Sequence, residues 1–285
     1  MSDKTNSRRN RMNLNQTPHP TIALIGGGRM GRALIDGMVG AGVIQSSGVC
    51  VVEPDPQSRS WWQENQPNCR LSESIGDAIA DARVAILAVK PDVVQQAVKD
   101  AGVRWQRLLV MSVAAGISLE KLTRWLASER VVRVMPNTPC LVGAGASAYC
   151  CAAGVTAADR GLAGSMLSAV GWAGEVAEKQ MDAVTGLSGS GPAYVCVAIE
   201  ALADGGVLAG LPRELAMQLA TQTVLGTAKM VAQTGQHPAA LKDAVASPGG
   251  TTIAGLRALE QNGVRAGFIE AVIAATDRSR ELGSR

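Results

Sequence analysis

Three glycines in this 285-residue chain have the spacing of a pyrophosphate-binding turn. Gly26, Gly28 and Gly31 follow the apolar run 21–25 and precede a stretch with helical spacing. In such a turn the first glycine permits the tight bend, the second lets the backbone approach the phosphates, and the third lets helix and strand pack closely. The pattern predicts a dinucleotide site at a helix N-terminus, against the alternative of an ordinary glycine-rich turn. The cofactor contacts predicted here are Gly26, Gly28, Arg29, Met30 and Gly31.

The residue that ends the second predicted strand should decide which nicotinamide cofactor is bound. Glu53 stands there, and an acid at this place accepts a hydrogen bond from the ribose 2′-hydroxyl of NADH. Arg59 follows six residues later and suits the 2′-phosphate of NADPH. Glu53 pointing to solvent is a further alternative. The sequence therefore predicts NADPH or NADH without choosing between them.

Loops at the carboxyl ends of later strands should complete the cofactor site, because ligands of open α/β sheets bind at those ends. Three loops qualify: Ala88-Val89-Lys90-Pro91, residues 112–116 with Ala114, and residues 135–139. Lys90 is a candidate catalytic acid or phosphate contact. An ordinary surface lysine is the alternative.

The second half of the chain contains two loops that suit a small anion. Residues 186–192 (Gly-Leu-Ser-Gly-Ser-Gly-Pro) and 247–252 (Ser-Pro-Gly-Gly-Thr-Thr) each precede a predicted helix. Free backbone N–H groups at a helix N-terminus, with hydroxyls beside them, bind a carboxylate well. Plain capping and turn chemistry is the alternative. Two such loops in one region favour a substrate site.

A strong general base is missing from these motifs. The only histidines are His19 and His237, and the six cysteines form no CxxC pair, so no metal site is predicted. The cysteines suit reduced core residues of a cytoplasmic protein. These residues therefore suit a reaction that needs little proton transfer from the protein. Hydride addition to an already protonated C=N bond is such a reaction.

The elements that must position these residues fall into two halves. Short apolar runs alternate with helical stretches over residues 21–178, which predicts a doubly wound α/β Rossmann domain with a parallel sheet. The predicted strands are 22–25, 49–52, 84–89, 108–113, 131–135 and 146–151, and the helices between them include 30–39, 92–99 and 119–126. Residues 179–285 predict an all-helical domain, with helices at 192–209, 212–234, 252–261 and 267–282. Residues 1–20 are expected to be a disordered tail.

The composition limits the kinds of partner that this chain is expected to bind. The chain is 47% apolar and 18% charged, which suits a globular protein with a sizeable core. Aromatic residues make up 3% and the net charge is +3, so no nucleic-acid partner is expected. No run approaches the ~18 uninterrupted apolar residues of a membrane span, so no membrane is expected either. The later helices are apolar around much of their circumference, which favours a subunit interface over packing within one chain.

Longer motifs resemble the pyrroline-5-carboxylate reductase family over residues 21–282. The matching segments are 26–31, 88–91, 137–139, 182–194, 201–206, 210–212, 237–243 and 247–252. The resemblance implies NAD(P)H-dependent reduction of 1-pyrroline-5-carboxylate to L-proline, the last step of proline biosynthesis. It also implies a homodimer through the helical domain, with active sites between two subunits, and a decamer as a larger assembly left open.

The resemblance also implies roles for individual residues. Gly250, Thr251 and Thr252 would bind the substrate carboxylate, and Thr252 would in addition meet the ring nitrogen. Glu178 matches an acid associated with the proline site, and Ser188 would face the substrate. The nicotinamide end of the cofactor would be lined by Val89, Lys90 and Ala114.

Two positions depart from the family pattern. Ala244 stands where members carry Asn or Gln against the cofactor, and Glu53 replaces a small polar residue of NADPH-preferring members. Two other functions stay open: a related two-domain reductase of another imino or β-hydroxy acid, and a non-catalytic dinucleotide-binding protein. The β-hydroxy-acid class would place a catalytic lysine on the helix at 192–209, which contains none.

Overall fold

The computed structural model describes residues 21–283, and the predicted tail 1–20 lies outside them. The strands are β1 (Ile22–Ile25), β2 (Val49–Val52), β3 (Arg70–Ser72), β4 (Val84–Leu87), β5 (Leu109–Ser112), β6 (Val131–Met135), β7 (Gly145–Cys151) and β8 (Gly171–Glu175). The helices are α1 (Arg29–Gly40), α2 (Pro56–Asn65), α3 (Ile75–Ile79), α4 (Pro91–Asp100), α5 (Leu119–Leu126), α6 (Ala157–Ser168), α7 (Met181–Val184), α8 (Gly191–Leu208), α9 (Arg213–Thr234), α10 (Pro238–Val245), α11 (Thr251–Gln261) and α12 (Val264–Gly283).

All strands belong to one sheet in the order β3-β2-β1-β4-β5-β6-β7-β8. The strands from β1 to β6 are parallel, which confirms the predicted doubly wound α/β fold. The expectation of a wholly parallel sheet is wrong at β7, which runs antiparallel to β6. Residues 136–144, which join these two strands, are too few for the crossover that a parallel pair requires.

Two edge elements, β3 and β8, lack the apolar runs that predict buried strands. β3 has three residues and is partly exposed. β8 reads Gly-Trp-Ala-Gly-Glu and contains no fully buried residue. Edge strands need less apolar surface because one side of the ladder faces no neighbouring strand. Their pairing partners, rather than their own composition, place them in the sheet.

The central strands explain why the first half folds as it does. Every residue of β1, β2, β4 and β5 is buried, as expected when helices cover both faces of a parallel sheet. Two apolar clusters lie on opposite faces of the sheet, and each contains a fully buried tryptophan, Trp62 in one and Trp105 in the other. Burial of such side chains stabilises the fold by about 1.5–3 kcal/mol each.

The strand order reverses between β1 and β4, and this is where the predicted loops meet. Gly26 donates its N–H to the Val52 carbonyl at 2.9 Å, and Ala88 donates to the Ile25 carbonyl at 2.8 Å. Val113 continues the series by donating to the Leu87 carbonyl at 3.0 Å. The glycine turn and the two following loops therefore lie side by side at one edge, the usual ligand site of such sheets.

The second half is helical, but one predicted loop is wrong. Residues 186–192 are part of a continuous helical segment, in which Thr185–Gly189 forms one π-helical turn before α8 begins. The Ser190 N–H donates to the Thr185 carbonyl at 2.9 Å, so it is not free to bind an anion. Gly186 serves close packing instead, because a Cβ added there would clash with Thr276 Oγ1 of α12.

The helices of this half leave much apolar surface uncovered. Only Ala203, Ala216 and Ala220 form a buried cluster between α8 and α9, whereas Leu208 is 92% exposed. The helical segment Glu178–Leu208 has 31 residues, and its most apolar window has a mean hydropathy of 1.3 and is 6% buried. By length and composition alone, it is the one segment within residues 21–283 that qualifies to cross a membrane. The expected absence of a membrane stays a prediction.

Candidate active site

Each glycine of the turn is needed for a different geometric reason. Gly26 has φ +97°, and a Cβ there would lie 2.7 Å from the Ala88 carbonyl oxygen. At Gly31 a Cβ would lie 2.5 Å from the Gly26 carbonyl oxygen, so only glycine lets α1 pack this closely. At Gly28 a Cβ would meet nothing within 4 Å. The space in front of Gly28 is therefore open to a ligand, at the point where the first-turn N–H groups of α1 have no helical acceptor.

The backbone of Gly27, between these glycines, is held at both its N–H and its carbonyl. Its N–H donates to Glu53 Oε2 at 2.8 Å. Its carbonyl accepts from Trp62 Nε1 at 2.8 Å, from Ser58 Oγ at 3.1 Å and from Arg32 Nε at 3.1 Å. Ser58 and Trp62 come from α2, Glu53 from the loop between β2 and α2, and Arg32 from α1, so the second βα unit fixes much of the shape of the turn.

Glu53 does not point to solvent. The residue is 9% exposed, and its second oxygen, Oε1, accepts from the Asp55 N–H at 2.9 Å. It lines a cavity of about 860 Å³ beside the glycine turn, together with Arg59. Other residues lining this cavity come from α2, α3, the β3–α3 loop and α4. A cavity of this size at the end of β2 has room for the adenosine half of a dinucleotide.

The residues predicted at the nicotinamide end lie on the adjacent loops. Val89 reaches the turn itself, because a Cβ added at Gly26 would lie 2.9 Å from Val89 Cγ1. Ala114 is 4% exposed, in the loop after β5. Lys90 is exposed and caps α4, with Pro91 as the first helical residue. Lys90 makes no side-chain capping hydrogen bond, so both the phosphate-contact and the surface-lysine interpretations stay open.

Glu178 lies at the junction of the two halves. Its Oε1 accepts from the Leu119 N–H, in the first turn of α5, at 2.6 Å and from Arg133 Nη1 at 3.2 Å. A carboxylate at a helix N-terminus is stabilised by the unpaired N–H groups there. Burial, and to a smaller extent the charge of Glu178, raise the pKa of the nearby Cys150 thiol to about 12. Cys150 is thus an unreactive thiol, and Glu178 a charged link between sheet and helices.

Ser188 lies in the π-helical turn beside the end of β6. Its hydroxyl donates to the Val184 carbonyl at 3.0 Å, and its own carbonyl accepts from Asn137 Nδ2 at 3.1 Å. Asn137 Oδ1 in turn accepts from the Ala146 N–H at 2.8 Å. The loop at 135–139 therefore attaches the turn to the sheet, although the predicted free N–H groups are absent there.

Thr251 and Thr252 form the first turn of α11, with Gly250 as the N-cap. Gly249 precedes them with φ +67°, so the loop at 247–250 has the bend that the sequence predicts. Within residues 21–283, no hydrogen bond or ion pair joins α11 to the glycine turn, to Glu178 or to Ser188. Glu178 and Ser188 are hydrogen-bonded to residues of the α/β half, whereas within residues 21–283 no such bond joins this threonine pair to the cofactor loops.

Several residues that shape the site cannot be recognised from the sequence around them. Trp62 and Ser58 reach the Gly27 carbonyl from α2, which lies 35 and 31 residues along the chain, so no local pattern points to them. The role of Asn137 could have been inferred from one feature of the sequence. Pro192 stands four residues after Ser188 and has no N–H, so the Ser188 carbonyl needs another donor.

Two family models match the chain. Residues 178–282 match the model described as pyrroline-5-carboxylate reductase dimerisation. Residues 21–116 match the model described as NADP oxidoreductase, coenzyme F420-dependent.

Characterised relatives match nearly the whole chain. A pyrroline-5-carboxylate reductase of Arabidopsis thaliana is 46% identical over 263 residues, which cover 92% of this chain and 95% of that protein. One from Synechocystis sp. is 45% identical over 264 residues, covering 93% and 98%. The crystal structure of Plasmodium falciparum pyrroline carboxylate reductase with NADP bound is similar with a TM-score of 0.84 at 33% identity, covering 94% of this chain and all 100% of that chain.

Proposed function

Because this chain belongs to the pyrroline-5-carboxylate reductase family, we propose that it reduces 1-pyrroline-5-carboxylate to L-proline with NADPH or NADH. The observation that carries the proposal is the glycine turn, whose open face at Gly28 adjoins the loops after β4 and β5. The bound cofactor would supply a hydride to the carbon of the C=N bond. The protein's task is then to bind, to orient and to exclude water.

The cofactor would lie along the carboxyl edge of the sheet. The N–H groups of Arg29, Met30 and Gly31, in the first turn of α1, would bind the pyrophosphate. The cavity lined by Glu53 and Arg59 would hold the adenosine half. Ala88, Val89, Lys90, Pro91 and Ala114 would flank the nicotinamide, since they follow β4 and β5 next to the turn.

The substrate would bind through its carboxylate at the N-terminus of α11. Gly250, Thr251 and Thr252 present N–H groups and hydroxyls there, and the helix dipole favours an anion. Because no hydrogen bond or ion pair joins these residues to the turn within residues 21–283, we infer that a second copy supplies them. Thr252 would also hydrogen-bond the ring nitrogen, while Ser188 and Glu178 would border the site from the first copy.

The uncovered helices are the surface on which the two copies meet. The dimerisation model spans residues 178–282, and the exposed side chains Val197, Leu202 and Leu208 lie within it on α8. Exposed apolar side chains, where they form a contiguous patch, mark a protein interface. We propose a homodimer that forms through the helical domain, residues 179–285, which follows the α/β domain at residues 21–178. We propose a decamer as the larger assembly of these dimers, and the cytoplasm as the location of the protein.

The test is an initial-rate assay of the full chain with 1-pyrroline-5-carboxylate and each reduced nucleotide. We expect consumption of the nucleotide and formation of L-proline in equal amounts. Nucleotide binding without turnover would indicate a non-catalytic dinucleotide-binding protein. Faster reduction of a six-membered cyclic imino acid than of the five-membered one would indicate the related reductase instead.

A further inference from the structure

The cavity beside the glycine turn contains more acidic than basic side chains. Its carboxylates are Glu53, Glu73 and Asp100, and its one guanidinium among the lining residues is Arg59. A ribose with a free 2′-hydroxyl brings no charge into this cavity, whereas a 2′-phosphate brings about two negative charges. The cavity is thus electrostatically better suited to the cofactor without that phosphate.

Glu53 is unable to turn away from the cavity. Its two oxygens accept from the backbone N–H groups of Gly27 at 2.8 Å and of Asp55 at 2.9 Å. Asp55 is itself fixed, because its side chain caps α2 by accepting from the Ser58 N–H at 2.7 Å. Each Glu53 oxygen keeps a second lone pair for a ribose hydroxyl. The same two oxygens repel a phosphate at that position.

Arg59 is the positive charge that would pair with a 2′-phosphate, but its guanidinium already interacts with other groups of the protein. Its Nη1 donates to the Glu53 carbonyl at 3.3 Å, and its Nη2 lies 3.9 Å from Glu73 Oε1. The guanidinium therefore already faces carboxylate charge on the cavity wall. From this arrangement we infer that the fixed Glu53 carboxylate makes the chain select NADH over NADPH. The inference rests on the proposed function and names the cofactor of that same site.

Removal of Glu53 would also release the Gly27 N–H, so the experiment must separate charge from loop shape. The chain offers a matched control, because Trp62 holds the carbonyl of the same residue, Gly27, without any charge. Trp62→Phe removes that hydrogen bond and keeps most of the buried ring. Glu53→Gln removes the charge and keeps one acceptor for the backbone N–H groups.

The experiment is calorimetric titration of the full chain with NADH and with NADPH, without substrate. We expect NADH to bind about tenfold more tightly or better, and Glu53→Gln to cut that ratio at least about fivefold by strengthening NADPH. Trp62→Phe should weaken both nucleotides and leave the ratio within about twofold. Arg59→Gln should weaken NADPH and raise the ratio, and higher salt should lower the ratio of the wild type.

Three results would overturn the inference. The first is that the wild-type protein binds NADPH as tightly as NADH and still reduces pyrroline-5-carboxylate. That result would contradict the inference and leave the proposed function standing. The second is a ratio that Trp62→Phe changes as much as Glu53→Gln does, since loop shape would then be the cause. The third is binding of neither nucleotide, which would remove the proposed function as well.

Discussion

The side-chain amide of Asn137 donates to the main-chain carbonyl of Ser188 at 3.1 Å. In an α-helix that carbonyl would accept from residue 192, which is a proline without an N–H. Asn137 therefore supplies the missing donor and joins the end of β6 to the π-helical turn. Such turns inside helices are frequent at functional sites, and this one contains Ser188, a predicted site residue.

Asn137→Ala should destabilise the protein by about 1–3 kcal/mol, because it leaves the Ser188 carbonyl and the Ala146 N–H without partners. Urea unfolding at fixed protein concentration measures the loss. Adding Pro192→Ala returns an N–H near the carbonyl, so the double variant should recover part of the stability. Full additivity of the two changes would contradict the assignment.

Gly28→Val should abolish nucleotide binding while leaving the fold intact. The backbone at Gly28 has φ −71° and a Cβ there meets nothing within 4 Å, so only a ligand is displaced. Gly31→Ala is the contrasting variant, since its Cβ would clash with the Gly26 carbonyl and should cost about 1–3 kcal/mol of stability. Nucleotide titration and thermal unfolding of both variants check the pair. Normal binding by Gly28→Val would rule out the turn as the pyrophosphate site.

Thr252→Ala should lower kcat/KM for pyrroline-5-carboxylate at least about tenfold, a loss of ~1.4 kcal/mol in transition-state binding. The nucleotide dissociation constant should stay unchanged, because the threonine would touch only the substrate. Thr234→Ala, an exposed threonine at the end of α9, is the control and should keep full activity. An unimpaired Thr252→Ala enzyme would remove Thr252 from the site.

Co-expression of Gly28→Val with Thr252→Ala should restore activity beyond that of either variant alone. If the turn of one copy meets α11 of the other, a mixed dimer contains one site with both residues intact. If each site lies within one chain, every site of the mixed dimer has one defect and activity stays low. Rate measurements on the isolated mixed dimer decide between the two arrangements.

Asp159 should make a pH-dependent contribution to stability. Burial opposes its ionisation, but hydrogen bonds from Arg130 and Thr156 outweigh this and hold the pKa of the carboxyl below its usual value. Because the folded pKa is depressed, the stabilisation is present above the unfolded value of about 3.9 and is lost as the pH falls through the folded value. Arg130 Nη2 lies 2.7 Å from Asp159 Oδ1.

Asp159→Asn should therefore cost about 1–3 kcal/mol at neutral pH, with the difference from wild type shrinking below about pH 4. Urea unfolding at several pH values gives the curve. Asp81→Asn, at an exposed position, is the matched control and should follow the wild type. A constant difference across the whole pH range would show that packing rather than charge is responsible.

The sequence alone predicted the parts of this protein that depend on neighbouring residues. The glycine turn is encoded at 26–31, since backbone freedom and helix entry are local properties. The buried strands β1, β2 and β6 were predicted with their full extents, because continuous apolar runs belong to central parallel strands. Edge strands β3 and β8 escaped prediction, since partners far along the chain place them.

The features that depend on contacts between distant segments of the chain were decided by the tertiary structure. Residues 186–192 have the composition of a loop, yet packing against α12 and the hydrogen bond from Asn137, 51 residues away, make them helical. Glu53 has the position of a ribose ligand, and only the folded chain shows it held by the N–H groups of Gly27 and Asp55. Local patterns determine turns and buried strands because their energies come from adjacent residues. The charge and shape of the site are set by contacts that exist only after the chain has folded.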